Sequence, residues 1–162
     1  MSKCVAASGY TCEIILNKVK IDHYFLVRSL MSEIKTPFER IGGEDAVRSL
    51  CQTFYQIMSN TPQSQLIRAM HPNDIAISEE KLYLFLTGWL GGPPLYEDKY
   101  GHPRLRARHL PFTIGVEERD QWLYCMAQAL KTMALEELFS QQLMSSFVQT
   151  ADFMRNTPED VA

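Results

Sequence analysis

An all-α domain is the architecture this sequence predicts, and three observations carry the prediction. Apolar residues recur at helical spacing through Ala46, Val47, Leu50, Cys51, Phe54, Ile57 and Met58, and again through Leu82, Phe85, Leu86 and Trp89. Past residue 36 no stretch alternates apolar and polar side chains as a half-buried strand would. Glycine and proline clusters, Gly42-Gly43 and Gly91-Gly92-Pro93-Pro94, cut the periodic runs into separate helices.

Residues 1–35 stand apart as an N-terminal extension. Ile14, Ile15, Val19, Ile21, Phe25, Leu26 and Leu30 are spaced roughly as on a helix but include many β-branched side chains, so helix and strand both stay open there. The domain proper is expected over residues 36–156, with 157–162 as a tail. Thr36-Pro37-Phe38-Glu39 has helix-start chemistry, a capping hydroxyl followed by proline in the first turn. Gly42-Gly43 stops that short helix, and Glu44-Asp45 favours a new N-terminus by charge–dipole attraction. Ser59 to Pro62 ends the second helix. A short helical piece, Gln65 to Met70, runs into the turn His71-Pro72-Asn73-Asp74. Ser78-Glu79-Glu80 is read as opening the next helix, which Gly91-Gly92-Pro93-Pro94 stops. LYEDKYGHP reads as a loop, and Arg104 to Leu110 as about two turns of helix. A long helix follows Val116, with Glu117, Glu118 and Asp120 at its start and Trp122, Met126, Ala129 and Met133 in one stripe. The last helix covers residues 135–154, with Leu138, Phe139, Leu143, Phe147, Val148 and Ala151 expected inward.

Composition narrows the function. A chain of 162 residues suits one domain. The net charge of −3 argues against nucleic acid as a main partner, because that binding rests on a basic surface. No apolar run approaches the roughly 18 residues of a membrane helix. Cys4, Cys12, Cys51 and Cys125 are scattered, with no CxxC, which suggests reduced thiols in a cytoplasm. The start, MSKCVAASGY, makes a poor secretory signal.

RLRARHLPF, residues 104–112, sets three arginines around one histidine in a chain that is acidic overall. Such a histidine can be a surface or satisfied core residue, and such arginines a solvated face. Neutral imidazole also binds iron well, and a porphyrin supplies the four further nitrogens that one histidine lacks. Haem propionates would then call for cations, for which Arg104, Arg106, Arg108 and Lys81 are available. Phe54, Leu82, Phe85, Leu86, Leu123 and Met126, on three helices, could line an apolar slot. Tyr55, His71 and Trp122 place polar groups on otherwise apolar faces, where each could donate a hydrogen bond to a small ligand, through phenol O–H, imidazole N–H and indole N–H.

FERIGGEDAVRSLCQTFYQIM, IRAMHP, LYLFLTGWLGGPPLY, GHPRLRARHLPF and ERDQWLYCM together resemble the group II truncated haemoglobins, over residues 36–150. The resemblance implies a two-over-two helical sandwich around haem b, iron protoporphyrin IX. It implies His109 as the iron ligand, and Tyr55, His71 and Trp122 as the groups that stabilise bound ligand. Phe54, Ser78, Leu82, Phe85 and Leu86 would line the distal side, Ser78 at the position of a ligand gate. By the resemblance Lys81, Tyr96 and Arg108 would meet the propionates; from the residues themselves Arg104 is a further candidate there, and Phe112, Leu123 and Met126 are expected to touch haem. His102 is expected to fix the loop ahead of His109, and His23 to lie at the surface of the extension. The segment between Tyr55 and His71 is a few residues longer than in the shortest members.

The implied function is tight, reversible binding of O2, NO, CO or sulfide, with slow release that suits simple oxygen transport poorly. An alternative is redox chemistry on the same haem, NO dioxygenation or peroxidase turnover, which needs a partner reductase. A third reading is a sensor or interaction role through residues 1–30. At the sixth iron position of the resting protein the expectation is water or nothing, with His71 or Tyr55 as the alternative occupant. Monomer and homodimer are both compatible with the sequence.

Overall fold

The computed structural model describes residues 35–157, which from Thr36 onward fall in one compact unit. The expectations for residues 1–34, including Cys4, Cys12 and His23, and for the tail from 158 lie outside the described residues. Eight α-helices and no strand occur among the described residues. They are α1 Pro37–Ile41, α2 Gly43–Asn60, α3 Gln65–Ala69, α4 Ala76–Trp89, α5 Leu95–Tyr100, α6 Leu105–His109, α7 Val116–Lys131 and α8 Glu137–Met154. A 3-10 turn, Pro62–Ser64, leads into α3. Helix α2 packs on α4 and on α7, and α7 packs on α8, so two helix pairs face each other. The short α6 lies against α8.

Local chemistry explains the boundaries. At α1 the Glu39 N–H donates to Thr36 Oγ1 at 3.2 Å and the Thr36 N–H donates to Glu39 Oε2 at 2.8 Å, a complete capping box. Gly42 then takes φ +113°, a conformation side chains resist, and turns the chain into α2. Gly92 is demanded by contact instead: a Cβ there would stand 2.7 Å from the Phe38 ring and 2.8 Å from the Thr87 carbonyl. The Phe38 N–H donates to the Leu90 carbonyl at 2.9 Å, which ties α1 to the end of α4.

The core is built where the pairs meet. Val47, Leu50, Cys51 and Phe54 of α2, with Cys125, Met126 and Ala129 of α7, are completely buried. Each large apolar side chain so placed contributes roughly 1.5–3 kcal/mol. Cys51 and Cys125 are free thiols, and burial pushes the Cys51 thiol up to about 12.

The structure corrects four expectations. LYEDKY is helix α5 rather than loop, because Glu97 and Asp98 suit its first turn and Lys99 its last, while Tyr96 anchors it inside. Helix α4 begins at Ala76, not Ser78, with the Ala76 N–H donating to Asp74 Oδ1 at 3.0 Å. Helix α6 is shorter than two turns. On α8, Phe139, Leu143 and Phe147 face inward at spacing of four, which turns Leu138 (58% exposed) and Val148 (43% exposed) to solvent.

Candidate functional site

The site starts from a strained turn. Arg104 precedes α6 with φ +41°, left-handed backbone in a residue other than glycine. Its N–H donates to His102 Nδ1 at 3.1 Å, so His102 steadies the turn that launches α6. At the other end of α6, His109 Nδ1 donates to the Leu105 carbonyl at 2.7 Å, four residues back. A carbonyl can only accept, so the proton sits on Nδ1 and Nε2 keeps its lone pair. That is the tautomer a metal ligand requires.

The connector after His109 is held from a distance. Asn156 Nδ2 donates to the carbonyls of His109 (3.2 Å) and Phe112 (2.7 Å), and Asn156 Oδ1 accepts from the Ile114 N–H at 2.9 Å. One amide thereby fixes both ends of the segment that carries the imidazole. Arg106 donates to the carbonyls of Phe153 and Arg155 at the end of α8.

His109 faces two adjoining recesses of about 190 and 410 Å³, which share Leu82, Phe85, Leu105, His109, Phe112 and Trp122 as walls. They behave as two halves of one apolar slot, within the roughly 300–1,000 Å³ of cofactor sites. Tyr55, Ser78, Lys81, Tyr96 and Arg108 line the larger half, and Ile67, Met70 and His71 the smaller. Among the described residues neither the Tyr55 hydroxyl nor the Trp122 indole N–H bonds to protein, so both donors are spare. Burial pushes the Tyr55 phenol well above its ordinary range, which keeps its proton on as a donor.

His71 lies edge-on to Tyr55, ring centroids 5.6 Å apart. Its Nδ1 donates to the Ile67 carbonyl at 2.7 Å. Burial, with the nearby Arg68 and His109 against the Ile67 bond, holds its pKa below the usual histidine value, so the ring is neutral at neutral pH. A neutral ring with Nδ1 protonated presents a lone pair at Nε2. The free nitrogen of His71 can therefore accept a hydrogen bond but has none to donate.

The arginine cluster is divided. Arg108 reaches the slot mouth, with Nε donating to the Pro103 carbonyl at 2.9 Å and its guanidinium 5.9 Å from the Tyr96 ring centroid. Lys81 stands at the same mouth. Arg104 lines a different surface recess, beside Trp89 and Phe153. Phe54, Leu86 and Met126 are sealed in the core, and Leu123 is half-buried on α7. Phe54 nevertheless backs the slot, its ring 5.3 Å from that of Trp122. Sequence reasoning missed Leu105, Ile67, Met70 and Asn156. Leu105 could have been found as the residue one helical turn before His109; Asn156, 47 positions away, carries no such signal.

These groups suit a haem: an imidazole lone pair, aromatic and aliphatic walls, two spare donors inside and two cations at the mouth. No group of three or more His, Cys, Asp or Glu side chains able to hold a metal unaided occurs among the described residues. A helical sandwich enclosing a slot with one imidazole ligand defines the class of the globins. The sequence matches the bacterial-like globins over residues 36–156. It is 42% identical over 123 residues to the group 2 truncated hemoglobin YjbI of Bacillus subtilis, covering 76% of this chain and 90% of that one. The structure resembles a cold-adapted truncated hemoglobin of the Antarctic marine bacterium Pseudoalteromonas haloplanktis, with TM-score 0.75, 41% identity, and coverage of 76% and 100% of the two chains. It also resembles a truncated oxygen-avid haemoglobin of Bacillus subtilis, with TM-score 0.69, 41% identity, and coverage of 75% and 100%. The chain belongs to the bacterial-like globin family, as a group II truncated haemoglobin, a haem-based binder of small ligands.

Proposed function

We propose that residues 36–156 bind haem b through His109 and hold O2 tightly, with NO, CO and sulfide as further ligands. Haem, when bound, supplies an iron centre with a position open to such a ligand. His109 offers Nε2, oriented by the Leu105 carbonyl. Lys81 and Arg108 stand where anionic propionates can be paired, and Tyr96 closes the wall beside them. Tyr55 and Trp122 offer hydrogen bonds to the ligand, while His71 shapes the cavity as an acceptor.

The observation that carries this reading is that His109, Tyr55 and Trp122 line one apolar cavity, the latter two with unspent donors. Donors already oriented in a low-dielectric site stabilise negative charge on a ligand better than water does. Two neutral bonds at about 1 kcal/mol each slow release by about 30-fold. The oxygen avidity in the name of the Bacillus subtilis structure agrees with this.

Stopped-flow O2 dissociation tests it, on protein first shown to take up one haem by titration. Tyr55→Phe and Trp122→Phe are each expected to speed release by about fivefold, the equivalent of one bond. A double variant that releases O2 at the wild-type rate would overturn the proposal.

A further inference from the structure

Among the described residues His71 is the one that lines both the inner slot and a separate polar cleft of about 590 Å³ on the outer surface. The cleft runs along the α2–α3 connection, past Ser59, Asn60, Gln65 and Ala69. Its far wall includes Arg68, whose guanidinium donates to the carbonyls of His71 (3.4 Å), Pro72 (3.1 Å) and Asn73 (3.2 Å). The backbone at position 71 is thereby stapled. The ring itself is held mainly by the single bond from Nδ1 to the Ile67 carbonyl. A fixed frame with a side chain on one latch has the mechanics of a door: rotating one imidazole joins two spaces without unfolding a turn.

We propose that His71 is a side door, a second route for small uncharged ligands between solvent and the slot, apart from the mouth at Ser78, Lys81 and Arg108. Polar lining suits the outer cleft to water and small polar ligands, and the apolar slot beyond takes up those that shed their water readily. The slot half that His71 closes also contains Met70, Ile67 and Trp122, so a ligand passing the ring arrives beside one of the two donors proposed to hold it.

The inference rests on the haem reading, and the test separates the two. Flash photolysis of the CO complex reads bimolecular recombination in wild type, His71→Ala and His71→Phe. CO accepts hydrogen bonds poorly, so its association reports access more than polarity. His71→Ala removes the partition and is expected to raise the association rate about tenfold, the low end of the span over which on-rates vary among variants of one site. His71→Phe loses both nitrogens but keeps the bulk, and is expected to leave the rate near wild type. Adding Ala69→Trp at the exposed cleft wall to His71→Ala should reverse the gain. Equal rates in the alanine and phenylalanine variants, or a gain that Ala69→Trp does not touch, would overturn the proposal. Xenon-pressurised crystals read the route independently of haem. Density continuous from cleft to slot in His71→Ala, and interrupted at position 71 in wild type, is the expected result; interruption in both would also overturn it. Failure to take up haem would instead count against the proposed function and leave the xenon result to decide the door.

Discussion

At the scale of single residues, hydrogen-bond direction decides chemistry that residue type leaves open. His71 and His109 both spend Nδ1–H on the carbonyl four residues back, at 2.7 Å in each case. Both therefore present Nε2 as a lone pair, and what separates their roles is position. His109 ends a one-turn helix whose exit Asn156 clamps, whereas His71 sits on the wall between slot and cleft. Replacing His109 by glycine is expected to abolish stable haem uptake, with free imidazole restoring it by filling the hole. The Soret band after haem titration reads this, and uptake unaffected by the glycine would refute the assignment. All three side chains proposed around the ligand were legible in the sequence. The acceptor role of His71 was not, because it depends on a main-chain partner that only coordinates reveal.

Individual elements are held by a few local devices, and two of these yield predictions. The Thr36–Glu39 box starts α1, and α1 in turn packs Phe38 against Gly92 and bonds to Leu90. Thr36→Ala is expected to cost about 1 kcal/mol, as loss of a side-chain cap ordinarily does, measured by chemical denaturation. On α8, Asp152 accepts from Arg119 of α7 at 2.7 Å and from Arg155 at 3.1 Å. The Arg119 bond, then the Arg155 bond, hold its pKa below the ordinary 3.8. A carboxylate with a depressed folded pKa stabilises the fold above its unfolded pKa, and the benefit disappears as pH falls through the depressed value. Asp152→Asn is therefore expected to lower Tm modestly at neutral pH, with the gap to wild type closing progressively below about pH 4. A gap that stays constant down to acid pH would show that the ion pairs play no part. The element missed from sequence, α5, is six residues between proline and glycine. Its helical character comes from end charges and one buried tyrosine, too short a pattern for periodicity to register.

For the whole molecule, residues 36–156 supply all the described helices, the slot and the polar cleft beside it. A chain beginning at residue 36 is expected to take up haem with unchanged stoichiometry and to release O2 at the full-length rate. Loss of haem uptake on that truncation would move part of the site into residues 1–35. Among the described residues no helix is long and apolar enough to cross a membrane. By itself the sequence determined the helical class, the run of helix stops at glycine and proline, and the buried stripe of α2 and α7, and it singled out the histidine proposed for iron. These rest on spacing and residue type, which act over one or two helical turns. Only the tertiary structure decided which arginine reaches the slot mouth, which face of α8 turns inward, that Asn156 steadies the imidazole, and that His71 divides two cavities. Those outcomes depend on groups far apart in the chain meeting across packed helices, and no local pattern encodes such distances.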